Sequence, residues 1–207
     1  MNILISGGAK NGKSYYAQKL AKQMAEELPK QMAAEVSGQL SAGIQGQAAE
    51  DQSRLPLYYI ATMIPHDEED HARIRRHVSE RAGWGFETLE CGRNLQGLLQ
   101  CRDGVPPVDP GGVFLLDSVT ALLSNEMFDA NGRFDPDAAE RVAADCTAFA
   151  RATGNTVFVS DYIYGDAEKY DTMTEDYRRG LALVDRRLAA VCDHVMEVSA
   201  GTIERWK

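Results

Sequence analysis

No two of the four cysteines (Cys91, Cys101, Cys146, Cys192) are spaced as a Cys-x-x-Cys pair. Spacing therefore offers no structural zinc site, and four scattered thiols suit a reducing compartment. There is no basic excess either. The chain carries 22 Lys and Arg against 31 Asp and Glu, a net charge of −9. General nucleic-acid binders and membrane-surface binders need a basic face, so both classes are excluded. A single bound nucleotide is not, because backbone N–H groups and a few lysines can hold one locally. No apolar run is long enough to cross a bilayer. The first residues lack a charged stretch followed by an apolar one, so no signal peptide is expected and the protein is expected in the cytoplasm. No internal repeat is present. What remains is 207 residues, 44% hydrophobic and 26% charged, enough for one soluble domain with a sizeable core.

Apolar runs and helical patterns alternate along the chain. Strands are predicted at 2–6, 57–62, 86–90, 113–117, 156–160 and 195–198. Helices are predicted at 13–27, 68–81, 95–100, 121–128, 135–152 and 174–192, the last two with Asp135 and Thr174 as caps. The strands are continuously apolar rather than alternating, the pattern of a mostly parallel sheet covered by helices on both faces. The fold class is α/β. Residues 29–56 stand apart, rich in Gln, Ala, Gly and Ser. They read as a flexible insertion or surface arm, with the preceding helix running some way in through Met-Ala-Ala-Glu-Val. The VPPVDPGG stretch forbids regular structure.

The strongest chemical signal is Gly7-Gly8-Ala9-Lys10-Asn11-Gly12-Lys13-Ser14. It fits Gly-x-x-x-x-Gly-Lys-[Ser/Thr] with a strand before it and a helix after it. Such a loop points successive N–H groups at phosphate oxygens, and the helix start adds partial positive charge. Lys13 would reach the β- and γ-phosphates, and the Ser14 hydroxyl would ligate Mg²⁺. A second metal ligand should close an apolar strand, and Leu115-Leu116-Asp117 supplies it. A strand-end Asp that merely starts a turn with Ser118 is the simpler reading of Asp117 taken alone. The loop names no substrate, since kinases, GTPases and motor ATPases share it. The chain lacks the Asn-Lys-x-Asp motif that reads guanine in regulatory GTPases.

Further motifs narrow the choice. Tyr59-Ile60-Ala61-Thr62 closes the second strand. An acidic turn leads to Ala72-Arg73-Ile74-x-x-His77, followed by Trp84 and Thr88-x-Glu90. With the opening GGAKNGKS, these resemble the adenosylcobinamide kinase / adenosylcobinamide-phosphate guanylyltransferase family of cobalamin biosynthesis. The resemblance spans nearly the whole chain outside 29–56. It implies a single RecA-like P-loop domain, with ATP and GTP as substrates, Mg²⁺ as cofactor and a corrinoid acceptor. It also implies small homo-oligomers, to which Leu122, Leu123 and Met127 would contribute. The matched positions give His77 as the guanylylated nucleophile, with Lys13 catalytic beside it. They give Arg73, Arg76 and Glu90 as nucleotide contacts together with residues 7–14. Asp67 and Glu69 match acidic positions near the nucleotide.

Bottom-up, imidazole suits such a role: neutral near pH 7, it attacks well and leaves well once protonated. Arg73 and His77, four apart, share a helix face. Taken alone, His77 reads more simply as a solvated residue of a polar helix. His66 and His71 are rivals on the same segment, and His66-Asp67-Glu69-His71 fits no standard metal spacing. The acceptor side departs from the family pattern. Where the family has Asn-Glu-Val-Gly, the chain has Asp161-Tyr162-Ile163-Tyr164, and the family's Asn-Gln pair is Asp185-Arg186. A diverged P-loop NTPase or kinase serving another acceptor, or regulating a partner protein, is the alternative reading.

Overall fold

The computed structural model describes residues 1–39, 54–65, 67–100, 107–129 and 132–207. Seven strands form one sheet. They are β1 (Ile3–Gly7), β2 (Leu57–Ala61), β3 (Glu87–Glu90), β4 (Val113–Asp117), β5 (Thr156–Val159), β6 (His194–Ser199) and β7 (Thr202–Arg205), in the order β3-β2-β4-β5-β1-β6-β7. Every pairing is parallel except β6 with β7. The predicted continuous apolar runs are β1, β2, β4 and β5, whose side chains are almost all buried on both faces.

Helix α1 (Lys13–Gln39) covers one face, where Ala17, Ala21, Met24 and Ala25 pack on Ile3, Ile5, Tyr59, Leu115 and Val157. Helices α3 (Val119–Met127), α4 (Ala138–Thr153) and α5 (Thr172–Val191) cover the other, around Phe114, Phe149 and Phe158. Helix α2 (Glu68–Glu80) follows the carboxyl end of β2. Its N-cap is Asp67, whose carboxylate accepts the Asp70 N–H at 2.8 Å. Ser118 caps α3 in the same way through the Ala121 N–H, a side-chain oxygen meeting a free first-turn donor.

Several predicted boundaries shift. Helix α1 runs into the Gln- and Ala-rich stretch through Met-Ala-Ala-Glu-Val, as expected, and carries Pro29 on its way to Gln39. The rest of the expected arm, 40–53, lies outside the described residues, as do His66 and Cys101. After it, the chain returns against α1, with the Leu55 N–H donating to the Ala25 carbonyl at 3.0 Å. Asp137 is the cap residue of α4 by position but makes no side-chain cap hydrogen bond; Asp135, the predicted cap, accepts the Asp137 N–H through Oδ1 at 3.0 Å and pairs with Arg141 through Oδ2 at 2.7 Å. Asp171, not Thr174, caps α5. The segment at 95–99 is a 3₁₀ turn. Strand β7 has no counterpart among the predicted elements, because Ser-Ala-Gly reads as a stop. Ala200 and Gly201 both take left-handed backbone, φ 47° and 77°, the conformation that folds a two-residue hairpin. Leu122, Leu123 and Met127 are fully buried in their own core, so they form no interface. No helix of the described residues is long and apolar enough to cross a membrane.

Candidate active site

Parallel strands bring their carboxyl ends to one edge, and there the predicted residues gather. Strand β1 runs into the glycine loop, and Gly12 turns the chain into α1. Gly7 sits at φ 155° against Asn11 and the Val198 carbonyl, where a Cβ would collide with both. Asn11 ties the loop down: its amide donates to the Val198 carbonyl and its Oδ1 accepts the Lys13 N–H at 3.2 Å. Gly8, Ala9 and Lys10 form the exposed arc of the loop, with Lys10 in left-handed backbone at φ 58°.

Lys13 is buried beneath this arc. Its ammonium donates to the Gly8 carbonyl at 3.0 Å and meets the Asp161 carboxylate at 2.5 Å. Asp161 follows β5, and its backbone N–H is held by the Thr120 hydroxyl at 2.9 Å. Motif reading gives Lys13 to phosphate, and its counter-charge in the fold is Asp161.

Asp117 closes β4, two strands from β1 with β5 between. Its Oδ2 accepts the Tyr59 hydroxyl at 2.9 Å. Burial, with the Asp117 charge next, pushes the Tyr59 phenol well above its ordinary range, so it stays a donor. Among the described residues, Oδ1 takes no side-chain hydrogen bond. Behind this tip, Thr62 and Ser118 exchange two hydrogen bonds at 2.9 and 2.7 Å, and Asn125 caps the Thr62 carbonyl at 2.7 Å. Ser14 is half-buried in the first turn of α1. A hydroxyl and a free carboxylate oxygen are hard oxygen donors that suit Mg²⁺.

The predicted contacts on α2 divide. His77 is half-buried in its last turn, while Arg73, Arg76 and His71 are exposed. Glu90 is exposed at the carboxyl tip of β3, paired with Ala61. Trp84 lies edge-on to Tyr15, ring centroids 5.6 Å apart, so the segment after α2 leans on the first turn of α1 right beside Ser14. Thr120 has a position at this edge that no motif discloses; Tyr59, of the Tyr-Ile-Ala-Thr motif, and above all Arg81 make contacts here that the sequence does not announce. Arg81 is only 7% exposed, and its guanidinium lies over the Tyr59 ring at 3.6 Å. Its sequence signal is its place at the head of Arg81-Ala82-Gly83-Trp84, where the family pattern has Arg-Pro-x-x-Trp.

The acceptor side is built from the divergent residues. None of residues 161–165 has positive φ, so the loop avoids the strained turns that Tyr162 and Tyr164 would resist. Their rings instead pack on each other at 4.8 Å. The Tyr164 and Ser160 hydroxyls both donate to Asp185 Oδ2 at 3.0 Å. Asp185 is 5% exposed, and burial pushes its carboxyl up to about 6. Arg178 fastens the same loop, donating to the Ile163 carbonyl and pairing with Asp166 and Glu175, each at 2.7 Å. A cleft of about 410 Å³ lies over Tyr164, Asp166, Glu175 and Arg178.

A parallel sheet whose central strand enters this loop, with an acid at the tip of β4, defines a P-loop nucleotide-binding protein. Residues 34–205 match the family model described as cobinamide kinase / cobinamide phosphate guanyltransferase, and the chain belongs to that family. It is 27% identical over 212 residues to the bifunctional adenosylcobalamin biosynthesis protein CobU of Salmonella typhimurium, with 97% of each chain covered. The Escherichia coli protein of that name is 26% identical over 211 residues, also with 97% of each covered. Among solved structures, the flagellar accessory protein FlaH of Methanocaldococcus jannaschii is similar at 13% identity and a TM-score of 0.40, over 100% of this chain and 77% of its own. That likeness is too weak to bear on function.

Proposed function

We propose that the chain is a two-step transferase of cobalamin biosynthesis. In the first step the aminopropanol hydroxyl of adenosylcobinamide attacks the γ-phosphorus of a nucleoside triphosphate. The diphosphate leaves and the hydroxyl proton goes to solvent or base. In the second, a His77 ring nitrogen attacks the α-phosphorus of GTP and pyrophosphate leaves. The acceptor's phosphate oxygen then displaces the histidine, giving the GMP-capped corrinoid. Two displacements at one histidine split a hard transfer into easier halves.

Lys13 and the loop N–H groups hold the phosphate chain. Ser14 and Asp117 Oδ1 would hold Mg²⁺, which when bound neutralises charge between the β- and γ-phosphates. The observation that carries this reading, beside family membership, is the packing of Trp84 on Tyr15. It holds the α2 segment, with His77 one turn before Arg81, against the start of the phosphate-loop helix. The loop at 161–166 favours a second reading, a kinase with a different acceptor, because its Tyr162–Tyr164 packing replaces the family's glycine turn.

The test uses GTP labelled at the α-phosphate with Mg²⁺. Acid-labile label should appear on the wild type, vanish in His77→Ala, and fail for want of nucleotide binding in Lys13→Ala. Label that persists in His77→Ala would remove His77 from the mechanism. Absence of both label and cobinamide-stimulated ATP consumption would leave the second reading in place.

A further inference from the structure

Among the described residues, Arg81 ends α2 as a buried cation without a counter-charge. Its backbone N–H closes the helix on the His77 carbonyl. Its side chain turns inward onto the Tyr59 ring. Its Nε is buried and has no hydrogen-bond partner, and none of the ion pairs among the described residues includes it. Stacking on an aromatic face offsets part of the cost of desolvating a guanidinium, but Nε stays unsatisfied and the side-chain hydrogen bond within reach is to the Tyr59 hydroxyl. An apolar side chain of similar volume would pack there without that cost. The charge therefore needs another explanation, and the surroundings supply one.

Tyr59 presents its face to Arg81 and its hydroxyl to Asp117. Arg81 and Asp117 thus flank a single ring, and Asp117 stands at the tip of β4, on the same sheet edge as the phosphate loop. Trp84, three residues on, touches Tyr15 next to Ser14. Arg81 is also one helical turn beyond His77, on the same face of α2. An anion in the loop lies on the side of the sheet where this guanidinium is held. Arg73 and Arg76 are solvated and exposed, so they suit steering more than binding.

We propose that Arg81 binds the phosphate chain of the nucleotide seated in the glycine loop. The proposal rests on the phosphate-loop reading above and deepens it. A planar fork of donors, already desolvated and fixed by stacking, is suited to two phosphate oxygens at once.

The experiment compares wild type, Arg81→Met and Arg81→Lys for affinity towards GTP and inorganic triphosphate, by calorimetry, with folding checked by circular dichroism. Arg81→Met keeps the volume and should weaken both ligands by roughly 10- to 100-fold. Arg81→Lys keeps the charge and loses the fork, so it should fall between. A folded Arg81→Met with unchanged affinity for both would overturn the proposal and leave Arg81 a packing residue. Should Arg81→Met not fold, ¹⁵N resonances of the arginine Nε–H groups in the wild type decide. The Arg81 signal should shift on saturation with inorganic triphosphate, and an unmoved signal would overturn the proposal. The α-phosphate label separates this from the transferase reading. Wild type that binds GTP without labelling, while Arg81→Met loses affinity, retires guanylyl transfer and keeps the role of Arg81. Wild type that labels, with Arg81→Met binding equally well, does the reverse.

Discussion

At the scale of single residues, the contact between Lys13 and Asp161 sets the terms of nucleotide binding. A carboxylate 2.5 Å from the ammonium occupies the charge that a phosphate must recruit. Binding therefore exchanges one anion for another, and the chain forgoes part of the affinity its loop could give. Asp161→Asn keeps the shape, and Asn is the residue of the related family's motif at this position. The substitution should lower the Kd for GTP by about tenfold, on the order of 1 kcal/mol for a charge-assisted contact. The ligand-free protein should lose a similar amount of stability. Titration of both variants by calorimetry checks this; equal or weaker binding by Asp161→Asn would show that the carboxylate serves the site instead of competing in it. Lys13 is legible in the sequence because the motif fixes its backbone context. The pairing is not, since Asp161 lies far along the chain and only the parallel register of β1 and β5 brings the two together.

At the scale of elements, α5 is held to β5 and the following loop through Asp185. Burial raises this carboxyl to about 6, against 3.8 ordinarily, with the Ser160 and Tyr164 hydroxyls pulling the other way. A carboxyl raised in the folded state favours folding only while protonated. Its contribution is full below about pH 4 and is lost as the pH rises through about 6. A rise of that size corresponds to roughly 3 kcal/mol. Asp185→Asn removes this slope. Urea melts at pH 4 and pH 7 should show the variant gaining on the wild type by about 2–3 kcal/mol between the two; parallel curves would mean that Asp185 is not desolvated as placed. The elements themselves are mostly readable from sequence. The four buried strands announce themselves as apolar runs between glycines and prolines. The departure at β7 comes from tertiary context overriding a local signal. Thr202–Arg205 is exposed throughout and has no apolar face to betray a strand, but β6 offers it an edge.

At the scale of the molecule, the candidate site draws on nearly every layer. The loop comes from β1 and α1, Asp117 from β4, Tyr59 from β2, and Arg81 from the end of α2. Sequence motifs locate the first two. A motif also holds Tyr59, but its contact with Asp117 and the burial of Arg81 are not readable, because an arginine on a charged helix looks solvated until the sheet beneath it is known. A ligand that bridges these elements binds only the folded chain, so it should stabilise the whole sheet and not the loop alone. At a hundredfold excess over Kd, linkage gives about 2.7 kcal/mol. For a chain of this size each kcal/mol is worth about 2–4 °C, so GTP with Mg²⁺ should raise the melting temperature by roughly 5–10 °C. Lys13→Ala should abolish the shift. Arg81→Met should reduce it at fixed GTP, because its weaker affinity lowers the ratio of ligand to Kd. A thermal-shift titration with GTP over a wide concentration range measures all three. A rise in the wild type that Lys13→Ala retains in full would place the nucleotide elsewhere than the glycine loop. An unmoved midpoint at millimolar GTP would remove nucleotide binding itself, and with it the role assigned to every residue on this edge of the sheet.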